Sequence, residues 1–468
     1  MTFKQLFAPR DMTKGKPMTE LIMFSVPLLV GNFAQQMYNT VDAIVVGKYV
    51  GDHALGAVGL AGPILNLLLA LFMGVSTGAG IVVSQYFGAK DRVQLSKSVG
   101  TIINVTFWTG LVTTALGMLV SRPLLVLLGT PAEMLDMANA YLMIIFAGMM
   151  GCAYYNILGG VLRGLGDSIS PLLYLLLSTV LNIVLDIAFI KFFNMTTDGV
   201  AWATIIAQGI SAVFCYFRLA RMRDVLDVNR HTLRLDKPLA SRVLKLGMPA
   251  GLTQAIFSLS AIVVQSLTNT LGPVVVTTCT AVMRVDGFAM MPNFTFGIAA
   301  TTFAGQNVGA RRPDRVRQGA KDCLKLALAC SSVLTLGILF FGAQLMSIFT
   351  NTPQIVELGA RMMRIMAVGY IAFSVTQTLS GVMRGMGETV LPMWISLIAT
   401  IVIRMPLAYL LAYLTRSPEW PAGNPDSLYW SLLISWVSGC LITAVCYRKG
   451  KWRGRAEAQM MDAPLARE

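Results

Sequence analysis

Five ionisable side chains, Asp42, Asp186, Arg284, Asp286 and Arg404, stand within stretches that are otherwise apolar and long enough to cross a bilayer. Ionisable groups at membrane depth are costly, so each is a functional candidate, above all for moving protons or ions. Asn182 precedes Asp186 by one helical turn, which puts an amide and a carboxyl on one face. A carboxyl shielded from water favours its neutral form and can therefore take up and release a proton. Gln35, Tyr38 and Asp42 also share a helical face, and Asn32, Gln36 and Asn39 add amides beside them. That density of polar groups suits the wall of an aqueous cavity. Asp42 and Asp186 with Asn182 are the expected proton or cation coupling site; the plainer alternative is that each acid only hydrogen-bonds within its bundle. Tyr141 and Thr204 are weaker candidates for the same cavity. Arg284 and Asp286 balance charge locally as a structural or gating pair, shared with Arg404, although residues two apart on a helix do not face each other.

These side chains need elements that hold them at membrane depth. Of 468 residues, 55% are hydrophobic, and only 13% are Lys, Arg, Asp or Glu. A soluble domain carries roughly 25% charged residues, so the bulk of this chain belongs in lipid. Mean hydropathy is +0.65. Apolar runs of spanning length lie near 20–46, 54–84, 99–121, 137–160, 171–190, 199–217, 246–269, 274–304, 326–348, 363–382, 391–414 and 428–447. The expected fold is thus an all-α polytopic membrane protein with twelve transmembrane helices. Residues 1–19 lack an apolar h-region, so no cleavable signal is expected.

The formal charge of +14 would point to nucleic acid in a soluble protein, but its distribution points to topology. With the N-terminus inside, the odd-numbered loops hold only Lys48, Arg122, Lys191, Arg361, Arg364 and Arg416, and the spans only Arg284 and Arg404. The remaining Lys and Arg collect on the two tails and the even-numbered loops. Both termini are therefore expected in the cytoplasm of a bacterial-type inner membrane, with no nucleic-acid partner and a monomeric chain. The division expected is a six-helix bundle at 1–217, a cytoplasmic linker at 218–245, a second bundle at 246–447 and a basic tail at 448–468.

The chain also repeats itself. Leu158-Gly-Gly-Val-Leu-Arg-Gly-Leu-Gly-Asp-Ser-Ile-Ser-Pro171 aligns without gaps with Leu379-Ser-Gly-Val-Met-Arg-Gly-Met-Gly-Glu-Thr-Val-Leu-Pro392, and seven of the fourteen positions are identical. Gln85-Tyr-Phe-Gly-Ala-Lys corresponds to Gln306-Asn-Val-Gly-Ala-Arg at the same spacing, and Pro27 to Pro249 at one residue more. Six spans per half means two parallel repeats, expected to surround a central cavity suited to alternating access.

At these motifs the chain resembles the multidrug and toxic compound extrusion (MATE) family. The resemblance rests on Gly160-x-x-Arg163-Gly-x-Gly166-Asp-x-x-x-Pro171 and its copy Gly381-x-x-Arg384-Gly-x-Gly387-Glu-x-x-x-Pro392, on the two Gln-x-x-Gly-Ala turns and on the early Pro of spans 1 and 7. Within the family, Asp42, Asp186 and Asn182 match the pattern of the DinF-like branch. The acids that the NorM-like branch carries in spans 7 and 10 are missing, because those neighbourhoods read Thr253-Gln254-Ala255 and Phe373-Ser374-Val375. At the repeat spacing Asp42 meets Val264 and Asp186 meets Leu407, so acid chemistry is confined to the first half.

The resemblance implies a secondary exporter of amphipathic organic cations, with no bound cofactor and H+ as coupling ion; Na+ at the first-half site stays open. The 28 Met residues could repack around varied apolar shapes. Two rival readings are a sodium-coupled exporter and a related carrier or flippase for lipid-linked or anionic metabolites. An intramembrane enzyme is disfavoured: the two histidines, His53 and His231, are expected in loops, and no spaced metal ligands accompany the seven cysteines.

Overall fold

The computed structural model describes residues 9–49, 52–127, 130, 132–229, 231–350 and 352–450, without the side chains of 38–49, 52–60, 63 and 132. Hydrocarbon offers no partner to a backbone N–H or C=O, so a spanning segment must close its hydrogen bonds within itself. The apolar runs accordingly form the helices α1 (Pro17–Tyr49), α2 (Asp52–Gly88), α3 (Arg92–Leu127), α4 (Ala132–Ala147), α5 (Met149–Gly164), α6 (Ile169–Phe193) and α7 (Thr197–Arg221). In the second half they form α8 (Lys237–Thr270), α9 (Pro273–Gly309), α10 (Pro313–Ser347), α11 (Pro353–Gly385), α12 (Val390–Leu397), α13 (Met405–Leu414) and α14 (Asp426–Lys449). Pro opens α9, α10 and α11, at a position where a missing N–H costs nothing.

Eleven stretches among the described residues are long and apolar enough to cross a membrane, and the pair α4–α5 brings the number to as many as twelve. The run expected as one span at 137–160 is bent by 53° at Gly148, where a Cβ would sit 2.3 Å from Cβ of Ile205 on α7. The run at 391–414 is also irregular. Between α12 and α13 the chain takes a π-helical turn at Ile398–Arg404, one residue short of Pro406. Proline has no N–H for the carbonyl four residues back, and a widened turn accommodates that loss.

The duplicated motifs fold alike. After α5, Gly166 adopts φ +82°, its N–H bonds to Arg163 O at 2.9 Å, and Asp167 N–H reaches Leu162 O at 2.9 Å. After α11, Gly387 adopts φ +92° with the equivalent bonds to Arg384 and Met383. This is the Schellman closure of a helix C-terminus. The acid that follows then caps the next helix: Asp167 Oδ1 accepts from Ser170 N at 2.9 Å, and Glu388 Oε1 from Leu391 N at 3.0 Å. Lys90 and Arg311, ending α2 and α9, share a left-handed conformation, at φ 57° and 54°. Gly166→Ala is expected to cost about 2 kcal/mol, since the αL penalty alone is ~1–2 kcal/mol and the added Cβ would lie 2.4 Å from Arg10 O. Thermal unfolding of the purified protein in detergent checks this, with Ala→Gly at the exposed Ala89 position of another turn as the neutral reference.

The chain divides into two compact units. The first holds Val26–Gln254 with the segment that ends at Met12. Its core includes Phe72, Ile102, Leu142, Phe146 and Ile157, all fully buried. The segment between α7 and α8 is bound to α3: Arg92 pairs with Asp227 at 2.9 Å, Ser96 Oγ accepts from Asp227 N, and Thr101 Oγ1 accepts from Asp236 N.

The second unit holds Thr13–Ser25 with the chain from Ala255. There Arg312 donates to Thr13 O at 2.9 Å, and Arg315 donates to Lys14 O and Gly15 O at 2.8 Å each. Its core contains Met346, Met362, Met363 and Met366, so these methionines serve ordinary packing. On the outside of both units lie large exposed apolar side chains such as Leu119, Phe192, Phe340 and Leu441. An apolar exterior of that extent is what a lipid-facing surface requires.

Candidate functional site

In the first unit, α6 sorts its residues into two faces. Leu173, Leu176, Leu177, Val180 and Val184 are exposed, whereas Leu175, Ser178, Asn182 and Asp186 are buried at spacings of three and four. The stripe therefore turns the amide and the carboxyl away from lipid and into the unit. Both side chains are fully buried, and Asn182 Nδ2 donates to Thr204 Oγ1 on α7 at 3.4 Å. Asn182 Oδ1 is buried and meets no donor among the described residues. A buried acceptor of this kind, one turn from a buried carboxyl, is suited to a proton or a small hard cation.

The structure thus brings three of the expected residues together: Asn182 and Asp186 on α6 and Thr204 on α7. Tyr141 on α4 is buried in the same unit. On α1, Asn32, Gln35 and Gln36 are half-buried and each has a polar partner, while Val26, Val30, Phe33 and Met37 form an exposed stripe. The helix runs through Tyr38, Asn39 and Asp42, but the side chains of these three expected site residues lie outside the described residues.

One polar residue was not anticipated. Gln208 stands one turn after Thr204 on α7, and its Oε1 is buried with no donor among the described residues. The i, i+4 spacing of Thr204 and Gln208 was visible in the sequence, but the acid of α7, Asp198, stands in its first turn and not beside these two.

The second unit holds a different cluster. Asp286 on α9 accepts a hydrogen bond from the Tyr370 hydroxyl of α11 at 2.8 Å and is attracted by Arg404 at the end of the π-helical turn. Tyr429 on α14 lies within electrostatic range of both and of the Cys279 thiol. Arg284 is exposed, on the other side of α9 from Asp286. The local pair expected between Arg284 and Asp286 is therefore replaced by a group drawn from separate helices, because 200° of helical rotation separates residues two apart. Arg404 Nε is buried without a hydrogen-bond acceptor among the described residues, which leaves Asp286 as its electrostatic counterweight. Phe294, Phe373, Trp436 and Tyr370 form a chain of ring contacts 5.3–5.9 Å between centroids that ends at this carboxyl.

The family profile described as MatE matches residues 27–188 and 249–410, one match in each half. "Probable multidrug resistance protein YoeA" of Bacillus subtilis (strain 168) is 31% identical over 412 residues, 86% of this chain and 89% of its own length. "Probable multidrug resistance protein YpnP" of the same organism is 29% identical over 444 residues, 95% of this chain and 97% of its own. Among solved structures, the outward-facing conformation of a multidrug resistance MATE family transporter of the MOP superfamily superposes with a TM-score of 0.86 at 22% identity, covering 96% of this chain and 98% of that one. This last likeness concerns the fold.

Proposed function

The chain belongs to the MatE family, and from that membership we propose that it exports amphipathic organic cations in exchange for protons by alternating access. It is a multi-pass membrane transporter of the multidrug efflux type rather than an enzyme. The observation that carries the proton assignment is the inward face of α6, where Asp186 and Asn182 are fully buried and Asn182 bonds to Thr204. Such a carboxyl can be neutral in one state and charged in another, which lets protonation shift the balance between conformations. Asp42 is assigned as the second acid of the site, on the pattern shared with the DinF-like branch.

The same oxygen atoms would also suit Na+, since the Asn182 carbonyl and the Asp186 carboxylate are hard ligands. Orientation follows the basic residues: the linker after α7, the turn between α9 and α10 with Arg311 and Arg312, and the start of α10 with Arg315 and Arg317 are assigned to the cytoplasm together with both termini. The transporting unit is assigned as a monomer.

Efflux of a fluorescent organic cation from loaded cells tests the reading. Collapsing the pH gradient with a protonophore is expected to stop export, whereas replacing external Na+ by K+ is expected to leave it unchanged. Export that survives the protonophore and stops without Na+ assigns the site to sodium. Export of an anionic dye alone would contradict the substrate class.

A further inference from the structure

Where α6 begins and α7 ends, the first unit has a cavity of about 320 Å³ lined by Ser170, Tyr174, Phe214, Phe217, Arg218 and Arg221. Its two ends differ in chemistry. At the inner end Arg218 is already committed: its Nε donates to Asp167 Oδ2 and to Ser170 Oγ, each at 3.1 Å, with the Asp167 side chain only 1% exposed. Arg221, one turn on, is exposed and has no bound carboxylate among the described residues. The walls are aromatic. Tyr174 and Phe214 stack at 5.8 Å with 21° between planes, and Phe217 is 54% exposed. One turn deeper in the span on each helix, Leu177 and Ile210 are exposed as well, so the cavity opens onto a continuous apolar surface.

A charged rim over aromatic walls that lead into a lipid-facing surface matches one ligand shape, an anionic head joined to a hydrocarbon tail. A soluble anion would leave the aromatic walls uncovered, and a neutral lipid would leave Arg221 without its charge partner. The volume admits a phosphate and its glycerol but not acyl chains, which would lie outside along Leu177 and Ile210.

We propose that this cavity is a phospholipid site, in which an anionic phosphodiester headgroup pairs with Arg221 and the glycerol rests against Tyr174, Phe214 and Phe217. Arg218 acts as the floor, held in place by Asp167 and Ser170. A lipid here would tie the start of α6, the helix that bears Asp186, to the end of α7, the helix that bears Thr204.

The test uses full-length protein, delipidated in a neutral detergent, with phosphatidylglycerol as probe and native mass spectrometry and thermal unfolding as readouts. Wild type is expected to retain phosphatidylglycerol and to unfold at a higher temperature with it, while phosphatidylcholine and inorganic phosphate give little change. Arg221→Gln is expected to weaken binding roughly fivefold, the effect of one basic residue near a membrane surface. Arg234→Gln, at an exposed residue of the α7–α8 segment, is expected to bind as wild type does. Both substitutions are on exposed side chains, so folding is preserved and checked by the unfolding curve without lipid. Equal binding by wild type and Arg221→Gln, an equal loss in Arg234→Gln, or the same stabilisation by phosphatidylcholine or inorganic phosphate would overturn the proposal.

Discussion

Asp186→Asn is expected to reduce gradient-driven efflux of an organic cation to the level of cells without the protein, while the variant still folds and inserts. Asparagine keeps the volume and the hydrogen-bonding capacity of the side chain but cannot gain or lose a proton, so the loss would be one of coupling rather than of packing. The location sharpens this expectation. Asp186 lies on the buried stripe of α6 with Asn182, and Asn182 reaches Thr204. If the acid served only as a hydrogen-bond partner, Asp186→Asn would retain most of the transport. Efflux from loaded cells, normalised to protein found in the membrane, distinguishes the two outcomes. Asp42→Asn is expected to behave in the same way.

The second large effect concerns stability. Asp286→Leu is expected to destabilise the protein by roughly 3 kcal/mol, because it leaves the half-buried Arg404, whose Nε has no acceptor among the described residues, with no opposing charge and removes the acceptor of the Tyr370 hydroxyl. The double replacement Asp286→Leu with Arg404→Leu is expected to recover most of that loss, as removing both opposing charges removes their desolvation cost as well. Tyr370→Phe should cost less, about 1.5 kcal/mol for one hydrogen bond to a charged group. Thermal unfolding of the four proteins in detergent provides the comparison. A double variant as unstable as Asp286→Leu would mean that the two residues do not act on each other.

Periodicity was enough to find the helices and the paired acid and amide of α6, since lipid imposes a simple rule: apolar residues outward, a backbone bonded to itself, and every polar side chain in need of an inward partner. The duplicated Gly-x-Gly-Asp/Glu motif was equally legible. Its φ angles and hydrogen bonds recur in both halves because a helix C-terminus with a left-handed glycine has few ways to close. The break at Gly148 was less visible. A glycine within an apolar run reads as part of a span until its neighbour Ile205 is known to sit where a Cβ would be.

The charges of the second half show the same limit most clearly. Arg284 and Asp286 are two residues apart and look like a pair on paper, yet one is exposed and the other bonds to Tyr370, 84 positions away, and feels Arg404. The sequence by itself determined that the chain is a duplicated helical membrane protein with acids concentrated in its first half, because hydropathy, helical period and charge placement are local properties. Only the tertiary structure decided which polar groups meet: Asn182 with Thr204, Asp286 with Tyr370 and Arg404, and Arg218 with Asp167 beneath an aromatic cavity. Those meetings depend on which helix packs beside which and at what rotation, and that choice is made by the burial of whole faces rather than by any residue's neighbours in the chain.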